Sequence, residues 1–178
     1  MLETLRNAFK IKDLRKRIGF TFLMLIVVRI GSQLPIPGVD PDVFSQLFAN
    51  NGDALNFFDA ITGGSFENMS IFALNITPYI TSSIIIQLLT IAFPKLEEMQ
   101  RDGEQGRKKI TQITRYVTVG LAIIQSVAMA IGFGRSGYLT EFNALYVIMT
   151  VAALTAGSSV LMWIGERITE KGIGNGIS

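Results

Sequence analysis

The stretch 68–94, NMSIFALNITPYITSSIIIQLLTIAFP, decides how this chain is read, because none of its 27 residues carries a formal charge. About 20 apolar residues cross the hydrocarbon core of a bilayer, so a run of this length reads as a membrane-crossing segment. The run is not uniformly greasy. Asn75, Thr77, Pro78, Tyr79, Thr81, Ser82, Ser83, Gln87 and Thr90 stand among its isoleucines and leucines. Lipid offers such groups no hydrogen-bond partner. The segment is therefore expected to line a protein interface, a water-filled cavity or a pathway.

Working outward, further uncharged runs cover 18–28, 116–134 and 142–165. They predict an all-α polytopic membrane protein with four transmembrane helices, at about 18–34, 75–93, 116–132 and 145–164. The first is interrupted by Arg29, which sits close enough to one interface to snorkel or pair and reads as an anchor. A cleaved signal peptide is the alternative for 18–28. No small-residue cleavage site follows, and the rigid Pro35-Ile36-Pro37-Gly38 comes next. The composition agrees with a membrane protein: 49% hydrophobic and 17% charged residues over 178 positions.

Cysteine and histidine are both absent. That excludes a disulfide framework, a thiolate nucleophile, a Cys/His zinc site and a histidine base. No catalytic residue, metal or cofactor is expected.

The charges set an orientation. Residues 1–17 hold Arg6, Lys10, Lys12, Arg15, Lys16 and Arg17, and residues 94–115 hold Lys95, Arg101, Arg107, Lys108, Lys109 and Arg115. The connection 31–74 holds no base but five acids: Asp40, Asp42, Asp53, Asp59 and Glu67. Lys/Arg bias in short loops places the N-terminus, the 94–115 loop and the 165–178 tail in the cytoplasm, with 35–60 and 132–143 outside. Within 1–17, Leu2, Leu5, Phe9 and Leu14 roughly share a face, as in a surface-lying amphipathic helix; an ordinary basic flank is the plain alternative. Asp102 to Lys109 reads as a solvated, flexible loop. Its basic patch suits anionic lipid, RNA or a soluble partner, and positive-inside anchoring explains it equally well.

Outside, Asp40-Pro41 reads as a helix start, Val43, Phe44, Leu47 and Phe48 as an apolar stripe, and Asn50-Asn51-Gly52 as its stop. Thr62-Gly63-Gly64-Ser65 reads as a hinge. After it, Phe66, Met69, Phe72 and Ala73 can share one face of a short helix ending near Asn75. The 19 residues 75–93 make about 28 Å of helix, enough to cross alone. The preceding half-span is then extra, and resembles the re-entrant elements of channels and transporters. A surface-lying helix is the alternative.

At the outer end of the second span, Ile76 and Ile80 lie four apart on one face. Facing a cavity they would form a stiff apolar collar, which gates by dewetting; facing lipid or core they would be ordinary isoleucines. Pro78 is expected to bend the helix and free a carbonyl. Gln125, in the middle of the third span, is expected to make an interhelical hydrogen bond. In the fourth span Ala152, Ala153, Ala156, Gly157, Ser158 and Ser159 allow close helix packing and read as scaffold. The glycines of 172–176 lack the strand and lysine of a phosphate loop and read as a turn leading to a further element.

Several motifs occur together: Arg29-Ile30-Gly31 with Pro35-Ile36-Pro37-Gly38; Gly63-Gly64; Ser70-Ile71-Phe72-Ala73-Leu74; Pro78-Tyr79-Ile80; Gly106-Arg107-Lys108-Lys109-Ile110; Met162-Trp163-Ile164-Gly165-Glu166; and Gly172-Ile173-Gly174-Asn175-Gly176-Ile177-Ser178. In this order and spacing the chain resembles the bacterial SecY family of protein-conducting channels over essentially its whole length. The resemblance implies most of the first half of an inverted-repeat channel, with a short re-entrant plug helix at 61–74 that includes Gly63, Gly64, Phe66, Met69 and Phe72. It implies that Ile76 and Ile80 belong to a hydrophobic pore ring. By the same resemblance Pro78, Ser83, Gln87 and Gln125 fall on a lateral gate, and Arg101, Arg107, Lys108 and Lys109 form a cytoplasmic basic loop. The implied setting is the bacterial plasma membrane. The implied partners are a translocating polypeptide with its signal sequence, small subunits of SecE and SecG type, the lipid bilayer, and a SecA motor or ribosome that docks mainly through the missing half. A second chain completing the channel is a further expectation.

Two rivals remain at this stage. Half of a secondary transporter would need ionisable groups at mid-membrane, and the span centres hold no Asp, Glu or Lys. A structural fragment without activity of its own is the other.

Overall fold

The computed structural model describes residues 2–40, 42, 43, 45, 46, 49, 53–65, 68–137 and 143–178. Those residues are helical apart from turns and one short bridge, in the order α1 (Leu2–Lys10), α2 (Lys12–Gly31), α3 (Asp53–Thr62), α4 (Thr77–Ala92), α5 (Pro94–Arg101), α6 (Glu104–Arg135) and α7 (Ala144–Lys171). Phe44, Leu47, Phe48, Asn50, Asn51 and Gly52 lie outside the described residues, as does Phe66.

α6 has 32 residues and α7 has 28, about 48 and 42 Å of helix, and both are long and apolar enough to cross a membrane. α4 and α5 qualify together as a third route, bent by 103° at their junction. The bend follows from Pro94, which cannot donate into α4 and begins a new helix in its first turn. α2 does not join this set. Lys12, Arg15, Lys16, Arg17 and Arg29 leave too short an uncharged stretch within its 20 residues.

Packing follows chain order. α6 lies against both α4 and α7, and α2 packs on α7. α2 is peripheral: Phe22, Leu23, Leu25, Ile26, Val27 and Ile30 are all exposed, and Gly31 is its one buried residue. Hydroxyls bridge the central helices. Ser82 meets Thr118 at 2.8 Å between α4 and α6, and Ser126 meets Thr155 at 3.3 Å between α6 and α7. Each hydroxyl has one proton: in the Ser82–Thr118 pair one donates across and the other donates to the carbonyl one turn back in its own helix, while Ser126 donates to Ala122 O and accepts from Thr155, so each is satisfied.

Three local expectations change. Pro78 occupies the first turn of α4, where its missing N–H would have had no helical partner, so it starts a helix and does not bend one. The basic residues after Asp102 are not in a flexible loop: α5 and α6 are separated only by Asp102 and Gly103. Glu104, Gln105, Arg107, Lys108 and Lys109 are good helix formers, and they extend α6 beyond its apolar part. At this hairpin Gly106 touches the Met99 carbonyl, a contact that a β-carbon would prevent. Finally, residues 68–76 are successive turns, not the helical face expected for Met69, Phe72 and Ala73.

Candidate functional site

The turns of 68–76 are the centre of the molecule. Gly63 and Gly64, at φ 71° and 81°, close α3 in the left-handed region that glycine adopts without steric cost. Arg29 at the end of α2 donates to the Gly63 carbonyl at 2.8 Å. Beyond the turn, the chain pairs antiparallel with the segment after α2. Ile36 N–H donates to Met69 O at 3.0 Å, and Ile71 N–H to Leu34 O at 3.1 Å. Met69 (φ 42°) and Asn75 (φ 54°) are held in the left-handed region although neither is glycine. For Met69, fully buried, that is a strained conformation kept by its surroundings.

Those surroundings are an apolar cluster. Ile36, Val39, Met69, Ala73, Leu74 and Leu154 are buried together, edged by Met129 and Phe133 of α6 and Val147 and Ala153 of α7. The Phe72 ring lies on Gly31, and the Ile71 carbonyl lies on Gly157. The small residues of α7 therefore admit an irregular backbone, where close helix packing had been expected. Ser158, the next residue, donates to the Asn75 carbonyl at 3.3 Å.

That contact fixes where α4 begins. Ser158 is near the middle of α7, about 21 Å from its first residue. Asn75 therefore stands beside the middle of α7, and Ile76 and Ile80 follow toward its C-terminal part. The Ile76 side chain approaches Gly165 of α7. Ile80 is 44% exposed and opens into a groove of about 530 Å³ with Tyr79, Ser83, Arg115, Glu166 and Asn175.

The groove holds a feature that sequence reasoning passed over. Arg115 of α6 and Glu166 of α7 form a two-bond pair, Nε to Oε1 at 2.9 Å and Nη2 to Oε2 at 2.7 Å. The signal was available: Arg115 precedes one uncharged run and Glu166 follows the other, so antiparallel helices bring them level. The tail folds back here, with Gly176 N–H donating to Thr169 Oγ1 at 2.9 Å and Ile177 lining the same groove.

The remaining predicted site residues separate. Ser83 and Gln87 share a second groove, about 370 Å³, with Thr90, Gln100 and Thr114. Pro78 is buried. Gln125 lies about 10 Å along α6 from the Ser82–Thr118 contact, past the start of α4. Its neighbour Ser126 makes the interhelical bond expected of Gln125. Arg101 pairs with Glu97 on exposed α5, and Arg107, Lys108 and Lys109 are exposed on α6. Among the described residues, no group of three His, Cys, Asp or Glu side chains converges as metal ligands would.

The SecY family model matches residues 70–178, more than half of the chain. The chain belongs to the SecY family. The protein translocase subunit SecY of Pseudomonas aeruginosa is 46% identical over 169 residues, covering 94% of this chain and 38% of that protein. SecY of Halalkalibacterium halodurans is 44% identical and covers 100% of this chain and 42% of its own length. SecY of Escherichia coli is 46% identical over 93% of this chain and 39% of that protein. The chain thus spans about two-fifths of the length of these relatives. Solved structures share the fold at low identity. One is the channel in a canine ribosome–channel complex from the endoplasmic reticulum (TM-score 0.62, 19% identity, 92% of this chain and 34% of that one). Another is a SecY structure described by its plug domain, which stabilises the closed channel (TM-score 0.64, 18% identity, 92% and 33%).

Proposed function

We propose that this chain supplies the N-terminal part of a SecY-type channel that passes unfolded polypeptides across a bacterial plasma membrane and releases membrane segments sideways into it. The observation that carries the reading is the interrupted path beside α7: a buried, irregular segment, then Ile76 and Ile80 at the start of a helix near mid-length of a membrane-crossing one. Backbone without helical bonding is tolerated at membrane depth only where protein or a water-filled cavity surrounds it.

In this reading α2, α4, α6 and α7 are the four spans, and 61–74 is the plug, whose described residues are the end of α3 and the turns that follow it. From mid-depth, the 16 residues of α4 extend about 24 Å, enough to reach the cytoplasmic surface, where α5 turns away. Trp163 and Arg167, stacked at 5.5 Å on α7, suit that same surface. The N-terminus and the 165–178 tail are then cytoplasmic. Gly63, Gly64, Phe66, Met69 and Phe72 belong to the plug, while Ile76 and Ile80 contribute to the apolar ring. Ser83, Gln87 and Pro78 contribute to one lateral-gate wall, with Gln125 further out. The basic residues of α5 and α6 face the cytoplasm. SecE- and SecG-type subunits, and a SecA motor or ribosome, complete the working assembly together with the remainder of the channel.

The mechanism needs no catalytic group. Branched aliphatics make a collar with few specific contacts, which suits chains of any sequence, and water leaves so narrow an apolar constriction. Replacing Ile80 with Asn in a full-length channel is expected to raise ion leakage in planar bilayers. Photocrosslinkers at positions 76 and 80 are expected to capture an arrested secretory chain. Unchanged conductance together with no capture would remove the collar from the account.

A further inference from the structure

The docked residues 63–65 and 68–76 are held to α2 and its extension by three bonds at different heights: Arg29 to Gly63 O, Ile71 N–H to Leu34 O, and Ile36 N–H to Met69 O. The last two join backbone to backbone at the edge of the buried cluster that holds Ile36 and Met69. The first is different. It is a charged side chain reaching from α2 to the residue where α3 ends, and it is the outermost of the three along the segment.

The local chemistry concentrates that bond. Gly63 and Gly64 are both in the left-handed region, so the turn has little intrinsic preference for one path. Arg29 supplies direction by fixing the Gly63 carbonyl. A β-carbon on Gly63 would displace the guanidinium, which ends a flexible side chain, and φ 71° would strain any other residue there. Phe22, Leu25, Ile26 and Ile61 surround the contact in an apolar groove. The bond itself is exposed, and its strength is that of a charge-assisted contact, about twice a neutral one. Downstream, Asn68 Nδ2 donates to Gly64 O at 2.7 Å, carrying the fixed turn to the residue before strained Met69.

We propose that Arg29 is a positioning residue, a latch that holds the Gly63–Gly64 turn against α2 and so keeps the strained 68–76 segment docked. The functional consequence rests on the reading of 61–74 as a plug; the latch itself does not. Glutamine at position 29 keeps polarity but loses the charge and the reach. Lysine keeps the charge and a donor.

The test uses a full-length chain in its membrane, with no other cysteine and Ser70→Cys as a reporter, since Ser70 is fully buried. The labelling rate by a membrane-impermeant maleimide reads undocking. In Arg29→Gln the rate is expected to rise about tenfold, the change one charge-assisted hydrogen bond commands, with Arg29→Lys staying near the parent. An unchanged rate in Arg29→Gln, with normal thermal stability, overturns the latch. Lower thermal stability with an unchanged rate overturns it too, because the residue then serves only the fold. Ion leakage separates the two layers. If Ile80→Asn leaks and Arg29→Gln labels no faster, the latch falls and the channel reading stands. If Arg29→Gln labels faster while neither variant leaks, the latch stands and the plug reading falls.

Discussion

α7 and the chain from 53 to 92, which meets it through the turns of 68–76, are built by opposite means. α7 is one continuous helix of 28 residues, whose backbone satisfies itself. Over its described residues, its neighbour is made of α3, a left-handed glycine turn, the turns of 68–76 and then α4. Its middle must find partners elsewhere, and it does so in three ways. Leu34 and Ile36 pair with it as a strand would, Ser158 of α7 reaches its Asn75 carbonyl, and Arg29 holds its Gly63 carbonyl. The continuous helix thus serves as a template: it presents Gly157 and Ser158 where the interrupted path has backbone to place. An interrupted path can rearrange without breaking a helix, and its stability lies in contacts that can be removed singly.

The largest effect is expected where the interrupted path meets α2. Phe72 is buried with its ring against Gly31. Phe72→Ala removes that ring and leaves a cavity beside a glycine that cannot fill it. A loss of about 3 kcal/mol is expected, read as a lower thermal midpoint of the purified protein. Ala at a site of similar burial on α7 but away from that cluster, such as Ile168→Ala, is expected to leave residues 68–76 as protected from proteolysis as before. Equal loosening in both variants would mean that the two paths are not separable.

A smaller effect is expected at the template. Gly157→Ala would drive a β-carbon into the Ile71 carbonyl. In an ordinary helix the change is favourable by about 1 kcal/mol on propensity alone. Here backbone opposes backbone, neither side can swing away, and a net loss of about 2 kcal/mol is expected from the forced shift. A stabilised Gly157→Ala protein would show that the turns move freely against α7.

How much of this was legible in the sequence divides along the same line. The helices α4, α6 and α7 follow from uncharged runs, because a helix in lipid needs only its own residues. α2 begins earlier and ends sooner than the span 18–34, since the cationic residues from Lys12 to Arg17 belong to the same helix as its apolar centre. The start of α4 was legible in residue number but not in height. Nothing near Asn75 says which residue of a distant helix will face it, and Ser158 decides that. Pro78 was legible as special but ambiguous in role, because the same ring bends a helix interior and starts a helix. The site residues divide likewise. Ile76 and Ile80 lie near each other by local spacing, whereas the Arg115–Glu166 pair requires two helices to be level. The charged run 104–109 misled for a general reason: charge marks exposure, and exposure is as compatible with a projecting helix as with a loop.

The smallest effect, and the finest test of the template, concerns Ser158. Thr150 and Ser159 on the same helix donate to carbonyls one turn back, at 2.9 and 2.8 Å. Ser158 donates across, to Asn75 O. Asn75 is a non-glycine residue at φ 54°, so its carbonyl is set at an angle that α4 does not use. Ser158→Ala leaves the helix intact and removes one neutral hydrogen bond from a half-buried carbonyl, for a loss of about 1 kcal/mol. Ser159→Ala removes a bond within α7 and is expected to cost less than half as much, because the carbonyl it leaves still receives its helical N–H. If the interrupted path depends on its neighbour, Ser158→Ala also raises labelling of a Ser70→Cys reporter while Ser159→Ala does not. Equal behaviour of the two serines would mean that the turns are fixed from the α2 side alone.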